Sequence, residues 1–279
     1  MGLFDFFKGN SSEENKGVNS EEAQALIARW DTFLQKIEVR YNEAAQQAEE
    51  ALLEQLVETN YDWNIVVRSW QAMKGKIMKI PKKIDHVWET QVKDEMEALG
   101  DFHYDEGFKG HDVNEKLIGE IDLIATGIIG KLSEKFYAHA IQSAQQNFEC
   151  TQCHAPLEIK KDLFRSQYVA CQYCNTTNTF EPDVKLMQIG WTIVDNMAAY
   201  RALDLHHILH EVECKIQKKR PPIPDEFIAE YREAYINYYE KFYKERIALK
   251  SDEEERYETD MENIKIDMEG NISRMTASN

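Results

Sequence analysis

Cys150-Thr-Gln-Cys153 and Cys171-Gln-Tyr-Cys174 are two CxxC pairs separated by 17 residues in a chain whose other periodicity is helical. A CxxC turn brings both of its sulfurs to one side, so two such turns can close four thiolates around one borderline-soft ion such as zinc. The paired spacing is that of a metal site rather than of a disulfide framework. Between the pairs, residues 157–159 and 167–171 alternate enough to be short strands, with 160–166 as their hairpin connection and 179–180 as a third strand before Pro182. His154 and Asn175 each follow the second cysteine of a pair, a turn position where glycine is common; asparagine tolerates a left-handed backbone and histidine does so less often.

With Pro156-Leu157 entering a strand, a hairpin, and a polar-aromatic strand after the second pair, residues 150–181 resemble the zinc-ribbon superfamily. The resemblance implies that Cys150, Cys153, Cys171 and Cys174 are the ligands of one structural Zn2+. Four thiolates leave no open position for a catalytic water, so such a metal would stabilise a module too small to fold on apolar burial alone. Lys160, Lys161, Phe164, Arg165 and Tyr168 are opposed by Glu158, Asp162 and Glu181, a nearly neutral set. That balance favours a protein-docking knob or a brace between helices over a nucleic-acid surface.

Composition points the same way. The 279 residues are 43% hydrophobic, with only 12 Gly and 6 Pro, enough to bury a sizeable core. A net charge of -17 argues against general affinity for nucleic acid, which depends on clustered Lys and Arg. Four of the five cysteines sit in CxxC pairs, which suits a reducing, cytoplasmic setting. No apolar run approaches the ~20 residues needed to span a bilayer. Residues 1–7 carry Leu3, Phe4, Phe6 and Phe7 but lack the basic start and cleavage site of a signal peptide. Phe6 stands where a myristoylation motif needs Ser or Thr. This apolar hook is expected to dock or fray, with the protein's own body, a partner or, weakly, a membrane surface as the places it can dock. Stable membrane insertion is not expected.

Apolar residues recur at helical spacing on both sides of the cysteines. A Ser/Asn/Gly/Glu linker (9–19) precedes a long helix from Ser20 to about residue 60, whose Ala- and Gln-rich middle (41–51) suits close approach of another helix. Helices follow at 61–79, ended by Pro81, and at 82–99, ended by Gly100. Residues 101–113 mix Gly, Asp and aromatics and are expected to form an ordered loop; His103, Asp105, Glu106, His111 and Asp112 there show no ligand spacing. Helices at 114–148 and 183–218 flank the cysteines, and Gly119, Gly127 and Gly130 in the former hint at a close crossing or a kink. The helix at 225–249 carries two aromatic stripes, and 252–269 holds nine acidic residues, expected as a solvated tail or fraying helix.

A second candidate for chemistry lies in 204–214. Helical geometry groups His206, His210 and Glu213 on the face away from Ile208 and Val212, with His207, Glu211 and Cys214 beside the core stripe. Such a group can hold a transition metal or move protons, but needs ligands from a second helix. The chain contains no Walker loop, GxGxxG, GxSxG or HExxH.

The expected architecture is mainly α, a multi-helix bundle with an inserted small β zinc ribbon. Its parts are an apolar hook and linker (1–19), an N-terminal helical part (20–148), the ribbon (149–182), a C-terminal helical part packing on the first (183–250) and an acidic tail (251–279). The expected function is a non-enzymatic scaffold or adaptor binding protein partners, with a homo-oligomer as one form. The alternatives are a metal-dependent enzyme using His206, His210 and Glu213, and a nucleic-acid factor using the ribbon.

Overall fold

The computed structural model describes residues 21–100, 102–146, 148–159, 165–182 and 184–277. The hook with Leu3, Phe4, Phe6 and Phe7, its linker, Ser20, and Lys160, Lys161, Asp162 and Phe164 lie outside the described residues. The protein is mainly α with a small β insertion, as the sequence predicts. It divides into two units, residues up to Ile124 and from Ala125 onward.

The first unit begins with α1 (Glu21–Glu58), whose buried stripe of Leu26, Trp30, Phe33, Ile37, Tyr41, Ala45, Ala48, Leu52 and Leu56 repeats every three or four residues. Asn60 and Tyr61 both take left-handed φ, and the Asp62 carboxylate then caps α2 (Trp63–Ile77) by accepting the N–H groups of Asn64 and Ile65. This tight connection folds α2 back against α1. After Pro81 come α3 (Lys82–Val87), a π turn (Trp88–Val92) and α4 (Lys93–Glu97), a helical run interrupted where Thr90 Oγ1 donates to the His86 carbonyl.

The loop expected at 101–113 is a helix: α5 runs His103–Gln146. Its glycines serve close packing, since a Cβ on Gly107 would sit 2.8 Å from the Trp88 indole and one on Gly110 would sit 2.6 Å from that of Trp30. Trp30 also donates from Nε1 to the Glu106 carbonyl at 3.1 Å, and Tyr41 donates from its hydroxyl to the Leu117 carbonyl at 2.7 Å. His103, Asp105, Glu106, His111 and Asp112 are therefore spread over successive helical turns.

In the second unit the later part of α5 meets α6 (Val184–Arg201) at Gly130, where a Cβ would fall 2.1 Å from that of Tyr200; close crossing, not a kink, explains this glycine. The single helix expected at 183–218 is broken at buried Ala202, and α7 (Leu203–Gln217) begins there. Helix α8 (Asp225–Leu249) lies among α6, α7 and α9, burying Tyr231, Tyr235 and Tyr238 on one side and half-burying Ile236, Tyr239 and Tyr243 on the other. The acidic segment is not a solvated tail. A 3-10 turn (Ser251–Arg256) leads into α9 (Tyr257–Thr276), which buries Met261, Ile264, Met268 and Ile272, with the last three packed in the α8 core.

An ion cluster closes the end of α8. Arg246 reaches Asp195 of α6 at 2.9 Å and Glu253 at 3.6 Å, and Lys250 meets Glu253 at 2.9 Å with both side chains buried. Burial pushes the Asp195 carboxyl up while Arg246 pulls it back.

Candidate metal centre

Between α5 and α6 the chain forms two tight turns of the same design. In the first, His154 N–H donates to the Cys150 carbonyl at 2.9 Å, and Cys150 N–H donates to that of Ala155 at 2.8 Å. The second repeats this with Asn175 to Cys171 and Cys171 to Thr176, each at 2.9 Å. His154 and Asn175 have φ of 58° and 60°, so both take the left-handed conformation at the position anticipated from sequence.

The sheet that carries these turns differs from the expectation. Strands β1 (Gln167–Ala170) and β2 (Thr177–Phe180) pair antiparallel around the second CxxC turn. The first turn is closed by a single bridge between Glu149 and Pro156, so 157–159 is not a strand. A short CxxC turn is its own hairpin loop, which makes each cysteine pair the tip of a local antiparallel pairing. Below the sulfurs, Leu157 packs with Phe148, Ala155 and Val169, and Phe148 meets Phe180 edge-on at 5.5 Å.

These turns bring Cys150, Cys153, Cys171 and Cys174 together, with all four Sγ atoms within 4.8 Å of one another. The Cys150–Cys174 and Cys153–Cys171 separations are 3.5 and 3.6 Å. A disulfide needs about 2.05 Å. A tetrahedral ion with metal–sulfur bonds of about 2.3 Å places its ligands about 3.8 Å apart, so the four thiols fit one metal ion. Cys150 and Cys171 are buried and Cys174 is half-buried, which leaves Cys153 as the exposed corner.

The surroundings favour thiolate at Cys150 and Cys174. Backbone N–H groups of Cys153 and Gln152 aimed at the Cys150 sulfur hold that thiol down at about 6. Thr176 lowers Cys174. The Ala155 N–H pulls Cys153 down, but burial and the other three sulfurs push it up to about 12, since the first protons lost leave charge that opposes the last. A bound cation would remove that opposition.

Sequence reading missed the residues that support the cysteine cluster. Asn178, buried on β2, accepts from the Thr151 N–H at 2.9 Å and hydroxyl at 3.0 Å through Oδ1. Its Nδ2 donates to the Thr176 carbonyl at 2.9 Å and toward Cys150 Sγ at 3.6 Å. Thr176 also donates to the Gln152 carboxamide. Both residues thus tie one turn to the other. The signal available was alternation: Asn178 occupies an inward position beside inward Phe180.

The group on α7 is arranged otherwise than expected. Ile208 is 50% exposed, and the buried stripe runs through Ala202, Leu209, Val212 and Ile216. His206, His210 and Glu213 are half-buried beside that stripe rather than opposite it. The His206 ring stacks on Tyr238 of α8 at 4.6 Å, and His210 Nε2 lies 3.6 Å from Cys214 Sγ. Burial raises the Glu213 carboxyl and His210 opposes this. Among the described residues, the four cysteines form the one group of His, Cys, Asp and Glu whose ligand atoms converge.

The fold and site define a helical protein with an inserted four-cysteine module able to hold a metal ion. Comparison with family models, curated proteins and solved structures finds no match for this chain.

Proposed function

We propose that this chain is a non-enzymatic scaffold or adaptor of the cytoplasm, in which the cysteine module is a zinc ribbon that presents a rigid surface to protein partners. One structural Zn2+ held by Cys150, Cys153, Cys171 and Cys174 fits the donor set, because soft thiolates and a closed tetrahedron suit zinc. The observation that carries the adaptor reading is the placement of two aromatic rings beside the metal centre. Tyr168 on β1 is 82% exposed and Tyr173 in the second turn is 78% exposed. Tyrosine supplies contact area at low conformational cost and is enriched where interfaces concentrate their energy. A metal-fixed turn holds such rings ready.

The test is co-purification of the tagged chain from its native cell, with masses measured for the intact assembly. A defined protein complex, lost in the Tyr168→Ala/Tyr173→Ala variant at unchanged zinc content, is expected. A solitary monomer from both, or a stoichiometry other than one zinc per chain, would overturn the proposal.

A further inference from the structure

Between Asp62 and Asp85 the chain carries Arg68, Lys74, Lys76, Lys79, Lys82 and Lys83 and no acidic residue, in a protein of net charge -17. Arg40, Lys76, Lys79 and Lys83 converge on one groove of about 520 Å³ between α1 and the corner joining α2 to α3. Lys74 pairs with Asp122 at 2.7 Å, but these four cations have no carboxylate partner among the described residues. Glu43 is the one acid lining the groove. Its floor is apolar, with Ala44 and Ala48 from α1 facing Met73, Ile77 and Ile80.

We propose that this groove is a docking site for an acidic amphipathic helix of a partner protein. Charge complementarity sets the sign of the occupant, since the rim is cationic and unneutralised. The apolar floor sets its amphipathicity, because a fully hydrophilic anion would leave half-buried Ala44 and Met73 facing it, above buried Ala48, Ile77 and Ile80. Small side chains at Ala44 and Ala48 let a helix approach α1 closely, as helix-in-groove recognition requires. The α1 stretch from Arg40 to Ala48 spans about 12 Å at 1.5 Å per residue, room for about two turns of the incoming helix. The chain's own acidic helix α9 is not the occupant, because it spends Met261, Ile264, Met268 and Ile272 on its own unit. A long nucleic acid fits poorly, since the cations occupy a small area of an otherwise acidic protein.

The surface is distinct from the cysteine module, so its test does not depend on the zinc-ribbon reading. The probe is a fluorescent 14-residue helical peptide with leucines on one face and glutamates flanking them, titrated onto the full chain. The controls are a scrambled peptide of equal composition, phosphatidylserine vesicles and a single-stranded oligonucleotide. Saturable binding of the amphipathic peptide is expected, weakened about tenfold in Lys76→Glu/Lys79→Glu and in Ala44→Trp, which blocks the floor, with helical content unchanged. Equal binding of the scrambled peptide would overturn the proposal. So would vesicles or oligonucleotide binding through these lysines in preference to the peptide, or a chain dimer that Lys76→Glu/Lys79→Glu dissolves.

Discussion

The side-chain amide of Asn178 points at Cys150 Sγ from 3.6 Å while its carbonyl oxygen holds the Thr151 N–H, so one buried residue reaches both a candidate metal ligand and the turn that carries it. Removing such outer support commonly costs about 10–100-fold in metal affinity without changing the ligand count. Asn178→Leu is therefore expected to keep one zinc per chain and lose affinity in that range by competition with a chromogenic chelator. Unchanged affinity would show that Asn178 only fills space.

Metal removal should act locally. The cysteine module has a small apolar core of its own, whereas the helices bury long stripes. A chelator is expected to raise amide exchange across 149–181 while the far-ultraviolet helical signal stays unchanged. Loss of helicity in step with zinc would contradict this.

Gly130 and Gly270 should respond oppositely to alanine. A Cβ at Gly130 would meet the Tyr200 Cβ at 2.1 Å, a backbone-anchored atom that cannot swing aside, whereas one at Gly270 meets nothing within 4 Å. Gly130→Ala is expected to lose about 1–3 kcal/mol to overpacking. Gly270→Ala should gain up to about 1 kcal/mol in helix propensity. Urea denaturation of the two variants measures both.

Lys250 and Glu253 form a buried pair, with Arg246 also within 3.6 Å of Glu253. Glu253→Ala removes the buried carboxylate that both Lys250 and Arg246 meet and should cost about 3–5 kcal/mol. Lys250→Met/Glu253→Leu removes both charges and should recover much of that loss. Thermal denaturation of the single and double variants decides between a needed ion pair and a merely tolerated one.

Burial raises the Glu213 carboxyl above its usual range, so ionisation costs more in the folded chain than in the unfolded one. The penalty is absent below the ordinary glutamate value of about 4.3 and fully present above the folded value. Glu213→Gln is expected to raise Tm at pH 7.5 and to leave it unchanged near pH 3.5. An equal rise at both pH values would assign the effect to packing.

Periodic burial made the helices legible in sequence, and the CxxC spacing made the four-cysteine cluster legible. What escaped depended on partners distant in the chain. Gly107 and Gly110 looked like loop residues because nothing local announces that Trp88 and Trp30 will press against them. The acid-rich segment looked solvated because charge outweighed the spacing of Met261, Ile264, Met268 and Ile272, which needs α8 to give it meaning. The α7 group sits rotated from the expectation because Ile208 faces solvent and the stripe after the break at Ala202 runs through Leu209 and Val212. Asn178 was overlooked because its hydrogen bonds cross 27 residues to Thr151.

The two cysteine turns are built alike, each closed by its own backbone bonds and each turning through a left-handed residue. An ion held at this site would therefore join two like jaws, as a clasp does. With each jaw contributing two sulfurs, breaking one metal–sulfur bond would leave the ion held by the other three.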